Sequence, residues 1–230
     1  MKQKLISILK AIIAPFGRKG ENTTGGGNVR PTETNMLVSN DFILIILDTF
    51  SLIGNQDTVI GAEIESGFVS KNAEVELVGI GKEPRKLKIG GIEKKINGKM
   101  GQINTATVGD RVGILLRGIS KKEIEIGQFL VPVGSMKAVN QFSAKLMFND
   151  KSFLENKEIE GTFYCLRNQT PATINLYSDA IDANGYVNAH IILKDRFPLR
   201  DGISFEFRKN GKLVASGIVA EVKSVSLYKN

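Results

Sequence analysis

The chain has 230 residues, 42% hydrophobic and 24% charged, with a formal net charge of +7; this allows two small domains and excludes a low-hydrophobicity disordered polymer. One cysteine and one histidine exclude an internal disulfide and a cysteine/histidine zinc cluster. The charge is uneven: residues 1–39 hold six Lys/Arg against two Asp/Glu, residues 40–135 twelve against twelve, and residues 136–230 thirteen against ten, which argues against a body built to grip phosphates along its whole surface.

Taken in chain order, Leu5, Ile8, Leu9, Ile12, Ile13 and Phe16 recur at helical spacing and predict an amphipathic helix over residues 1–16, ending at Pro15-Phe16-Gly17. Lys10 interrupts the apolar run and no A-x-A site follows it, so the segment reads as a helix for a partner or a membrane surface and not as an export signal. Gly25-Gly26-Gly27 and Pro31 then mark a flexible linker, and the folded part begins near Asn40.

Short runs rich in Val, Ile and Phe follow, separated by turn residues. They predict strands at Phe42 to Leu52, Asp57 to Glu65, Ala73 to Ile80, Arg85 to Ile96, Arg111 to Gly118 and Phe129 to Val133, enough to close a small barrel. A second set runs from Gln141 to Phe148, Ile159 to Leu166, Thr173 to Tyr177, Val187 to Leu193, Ile203 to Arg208 and Leu213 to Val222. Asn210-Gly211 between the last two is the pair favoured in a tight type I′ hairpin. The expected fold is all-β, with two tandem β-barrels at residues 40–135 and 136–230, joined by a short link at Gly134 to Asn140, behind a helix and linker at residues 1–39.

Catalytic constellations are thin. Phosphate binding by a P-loop needs GxxxxGK[ST], and Gly81-Lys82, Gly98-Lys99 and Gly211-Lys212 are followed by Glu83, Met100 and Leu213, so no nucleotide partner is expected. Asp110 to Gly113 and Asp182 to Gly185 match DxxG, a pattern common in turns. Cys165 and His190 lie in alternating apolar runs and read as barrel packing, not as a nucleophile and base. Glu123 and Glu125 read as a solvated turn beside Lys121 and Lys122. The expectation is a protein that is not an enzyme and carries no cofactor or metal. With a single cysteine, it is placed in the cytoplasm, with residues 1–16 leaving a peripheral membrane position open.

Three stretches carry a family resemblance. Leu47 to Ile80 and Val108 to Lys137 resemble the two halves of the second domain of elongation factor Tu, with LRGI at Leu116 to Ile119 the most specific run, and Pro198 to Val222 is similar to the closing strands of its third domain. The resemblance implies two translation-factor-type barrels without the GTPase domain. It also implies a site for the aminoacylated 3′ end of tRNA, with Asp48 and Phe50 matching the group around the aminoacyl moiety and Glu123 matching a glutamate at the terminal adenosine. The chain departs from the family at Leu47, where a glutamate is usual, and at Ile126, where an arginine is usual. Asn149 to Thr170 is shorter than its counterpart and mildly acidic.

The basic cluster Lys82, Arg85, Lys86, Lys88, Lys94, Lys95 and Lys99 has two readings: a rim of solvated lysines guarding an edge hairpin, or a contact for ribosomal or transfer RNA. The expected function is a non-catalytic protein-binding adaptor linked to translation. The alternative is a translation accessory factor that keeps part of the aminoacyl-tRNA site.

Overall fold

A computed structural model describes residues 37–51, 57–177 and 181–222. The expected helix at residues 1–16 and the linker after it lie outside these residues. Fifteen strands follow one another: β1 (Ile43–Ser51), β2 (Thr58–Ser66), β3 (Phe68–Ser70), β4 (Glu74–Val78), β5 (Arg85–Ile96), β6 (Lys99–Ile103), β7 (Thr105–Thr107), β8 (Arg111–Arg117), β9 (Phe129–Val131), β10 (Lys137–Phe148), β11 (Glu158–Cys165), β12 (Asn168–Leu176), β13 (Val187–Leu199), β14 (Ser204–Lys209) and β15 (Lys212–Glu221). Among the described residues the only helical pieces are 3₁₀ turns at Lys121–Glu123 and Lys151–Glu155, and no helix is long and apolar enough to cross a membrane.

In the first barrel the order β4-β9-β1-β2-β8-β5 closes through pairing of β4 with β5, while β6 extends from β5 outside the ring and β3 pairs with β7 as a separate ribbon. The second barrel closes as β10-β13-β12-β11-β14-β15, with β15 returning to β10. Two antiparallel six-strand barrels are thus present, as alternation in the sequence implies. Contacts group the described residues into two compact units: those up to Val75 with Leu87–Ile126, and Glu76–Lys86 with Gly127–Val222.

Alternation is clearest in β5 and β10, while β2, β4 and β9 are buried on consecutive residues. In β5, Leu87 and Ile89 are buried between exposed Lys86 and Lys88, the period of a strand with one wet face. Two departures from the expected pattern have short range as their cause. β3, β6 and β7 are three to five residues long and carry too few alternations to register in sequence. The expected link at Gly134 to Asn140 is partly strand, because Lys137, Ala138 and Val139 pair with Leu199, Pro198 and Phe197.

Phe142, Phe163, Phe197 and Phe205 form the heart of the second barrel, with ring centroids 4.9–5.7 Å apart and most pairs edge to face. Gly217 is obligatory here, because a Cβ would lie 2.4 Å from the Phe205 ring and 2.7 Å from Leu146.

Among the described residues three hairpins turn on two-residue loops whose central residues both have positive φ: Asn97-Gly98 (49° and 80°), Leu166-Arg167 (48° and 67°) and Asn210-Gly211 (50° and 77°). The sign pattern is that of type I′, which Asn-Gly adopts with little strain, whereas a leucine and an arginine there cost about 1 kcal/mol or more each.

Phe163→Ala removes the ring that touches three others. It is expected to destabilise the second barrel by about 3–5 kcal/mol in urea unfolding, and Phe163→Leu by under about 1.5 kcal/mol; equal losses for the two would contradict this packing.

Candidate functional site

A break in register in the middle of β1 sets the first site. Ile46 faces Ala62 and Asp48 faces Gly61, so Leu47 is a bulge. Thr49 stays with the inward set, while Asp48 and Phe50 turn to the other face, half-buried, with Phe50 opposite Val59. Asp48 Oδ1 accepts the Thr49 N–H at 2.7 Å. Phe50 therefore lies on the outer wall of the barrel and not in its interior.

Tracing the register across the sheet brings in a residue that sequence reasoning missed. Asp48 pairs with Gly61, Gly61 with Gly113, and Gly113 with Glu93, while Phe50, Val59, Leu115 and Gly91 form the next row. Two carboxylates therefore end a row whose middle positions have no side chain. Three strand spacings put them roughly 14 Å apart. Glu93 is 5% exposed, and its Oε2 has no hydrogen-bond partner among the described residues, although Gln102 bonds its carboxyl. It lines a cavity of about 90 Å³ with Gly91, Gly113, Gln102, Asn104 and Lys71, enough for about three waters. Burial raises the Glu93 carboxyl above its usual range, against the opposing Gln102 bond. A hydroxyl, an ammonium or an amide N–H is the group this acceptor suits.

Glu123 has a structural task. Its Oε2 accepts the Ser120 N–H at 2.9 Å and the Ser120 hydroxyl at 2.8 Å, closing a capping box on the 3₁₀ turn. That turn packs against β1, so the structure does bring Glu123 toward the strand that carries Asp48 and Phe50. Ile124 is buried beneath it, while Ile126 is 67% exposed. The LRGI run is a latch: Gly118 N–H donates to Asp57 Oδ1 at 3.0 Å, and the Ile119 carbonyl accepts the Thr58 hydroxyl at 2.7 Å.

Arg85, Lys86, Lys88, Lys94 and Lys95 lie along β5 and Lys99 opens β6, while Lys82 lies before β5. Lys94 is paired with Asp110. Burial acts to raise the Asp110 carboxyl, but the bonds from Lys94 and the Thr107 N–H, with the Lys94 charge, outweigh it and hold it below its usual range. The hairpin register runs unbroken through Asn97-Gly98, so Met100 lies opposite Lys95 and not on the face of Lys94. Lys95 and Lys99 are exposed on the hairpin that stands outside the closed ring, the placement of charges that discourage strand addition.

The other candidates sort simply. Cys165 is buried, and burial pushes its thiol up to about 12. His190 departs from the expected packing: Ala189 and Ile191 point inward, while His190 lies on the outer face with Nε2 3.3 Å from Gln141 Oε1. The two thus lie on opposite sides of the barrel wall. Asp182 accepts the N–H groups of Asn184 and Tyr186, both at 2.9 Å, so the second DxxG run shapes a turn. Among the described residues no group of three or more His, Cys, Asp or Glu is placed to hold a metal ion. No family model matches the chain.

Glu93→Gln tests the buried carboxyl. A raised native pKa means that the native state holds its proton more tightly than the unfolded chain, so Glu93 lowers stability as pH rises above its ordinary value. Glu93→Gln is expected to melt above the wild type at pH 8, with the difference vanishing near pH 4. A variant that melts lower at both pH values would show the carboxylate to be satisfied.

Proposed function

We propose that this chain is a non-catalytic binding module, an elongation factor Tu-like pair of barrels whose first barrel engages a protein partner in connection with translation. The observation that carries this reading is Ile126. It exposes 67% of its surface where the resemblance implies a guanidinium, on a loop held in place by the Ser120–Glu123 cap and by buried Ile124. An apolar side chain displayed on a braced loop loses nothing by facing water-excluding protein, and it offers nothing to a phosphate. The placement of Cys165 and His190 on opposite sides of their wall supports the non-catalytic part of the reading.

A second reading, capture of the aminoacylated end of tRNA, is favoured by one arrangement. Asp48, Phe50 and Glu93 share the outer face of the first barrel, with Gly61 and Gly113 leaving the backbone open between the carboxylates. Such a face offers acceptors for hydroxyl and amino groups and a ring for stacking.

Affinity capture with the full chain and with Ile126→Arg separates the two. Burying an isoleucine contributes about 1.5–3 kcal/mol, so the substitution is expected to weaken capture of a partner protein by roughly tenfold or more while leaving tRNA binding equal or tighter. Aminoacylated and deacylated tRNA, titrated at matched salt, are expected to bind alike. Preference for the aminoacylated form, lost on Phe50→Ala or Glu93→Gln, would overturn the adaptor reading in favour of the second. Titration with fluorescent GTP is expected to show no saturation.

A further inference from the structure

We propose that a trough on the outside of the second barrel binds an extended peptide segment of a partner protein, with the Leu166-Arg167 turn as its recognition element. The proposal rests on the protein-binding reading above and names a second surface that serves it. Register sets Met147 on β10 opposite Ser216 on β15, Ser216 opposite Glu206 on β14, Glu206 opposite Tyr164 on β11, and Tyr164 opposite Gln169 on β12. Four strand spacings make this row roughly 19 Å long, the span of about six extended residues. An open cavity of about 640 Å³ lies along it, and Leu166 and Arg167 form its lip.

The lining selects the kind of occupant. Met147, Tyr164 and Leu166 give apolar surface, while Ser204, Ser216 and Gln169 give groups that bond peptide N–H and C=O. Arg167 and Glu206 are its charged members, and Glu206 already accepts two bonds from Arg208, at 2.7 and 2.9 Å. Arg208 also lies 5.4 Å from the centre of the Tyr164 ring and fixes its face. Charges of both signs along the trough provide no track for a polyanion. An open trough of this length encloses too little of a compact small molecule, most of whose surface a pocket must cover.

The independent observation is the turn itself. The same fold uses Asn-Gly at its two other two-residue positive-φ hairpins, and at Gly98 and Gly211 nothing stands within 4 Å of an added Cβ. Leu166 and Arg167 hold the same left-handed backbone against their own preference, at the one such hairpin that borders the trough. Strain kept in this way is the mark of side chains retained for contact and not for the turn.

A phage-displayed library of random heptapeptides, selected on the immobilised full chain, supplies the probe. Enriched peptides are then titrated by fluorescence anisotropy against the wild type, Leu166→Asn/Arg167→Gly and Ser216→Tyr. The double variant is expected to melt a few degrees higher, since it relieves the strain, and to bind the peptides at least about tenfold more weakly. Ser216→Tyr, which fills the row between Met147 and Glu206, is expected to lose the peptides with an unchanged melting temperature. Ile126→Arg is expected to leave peptide binding intact, so failure of the first-barrel contact and failure of the trough read separately. Peptides that bind all variants alike, a library that yields no binder, a double variant that melts below the wild type, or displacement of the peptides by a short single-stranded oligonucleotide would each overturn the proposal.

Discussion

Closing a sheet on itself obliges each ring strand to find partners on both sides, and a straight, evenly pleated strand cannot bend enough to do so. The chain meets this demand by skipping residues. Leu47 is passed over between β1 and β2, Gly90 between β5 and β8, and Asn140, with residues 193–196 facing it, between β10 and β13. Each skip reverses which side chains face the interior. The skip at Leu47 turns Asp48 and Phe50 away from the side that buries Leu44 and Ile46, and the skip at Gly90 returns Ile92 to the core and sends Glu93 to the opposite side. The candidate face of the first barrel is in this sense a by-product of closure: two register breaks on separate strands deliver an aromatic ring and two carboxylates to one surface.

The strands that alternate over many residues were legible in the sequence. Arg85 to Ile96 is read to its ends, and the Asn210-Gly211 hairpin follows from residue identity alone. Burial of Glu93 was not legible, since it depends on a skipped glycine three strands away from Asp48 and on the absence of side chains at Gly61 and Gly113. Glu123 was a different case. Ser120 and Glu123 stand at capping-box spacing, a local signal that points to a structural role, yet the resemblance directed attention to a ligand. The Leu166-Arg167 turn escaped for the opposite reason, because neither residue belongs to any turn signature and only the pairing of Cys165 with Asn168 reveals it.

The two barrels also divide their labour differently. In the first, the specific motifs are latches, with Asp57 and Thr58 holding the LRGI run at both its amide and carbonyl ends. Those residues report the fold, which is why matching them says little about what is bound. In the second, the interior is dominated by five phenylalanines, Phe207 together with Phe142, Phe163, Phe197 and Phe205, and the glycine that admits Phe205 sits directly beside Ser216 in the outer row. Core and surface are therefore coupled through a single strand, β15, whose alternate residues serve each.

Cys165 gives the chain a built-in reporter. It is the only cysteine, it is buried at the end of β11, and its Sγ lies 3.7 Å from the Ser204 carbonyl on the neighbouring β14. With the thiol pushed up to about 12, almost no thiolate exists at neutral pH while the wall is closed. A thiol reagent therefore reaches it only when the β11 and β14 pair opens, and where closing outpaces labelling the rate for the untouched protein measures that opening free energy for the second barrel while the first stays silent.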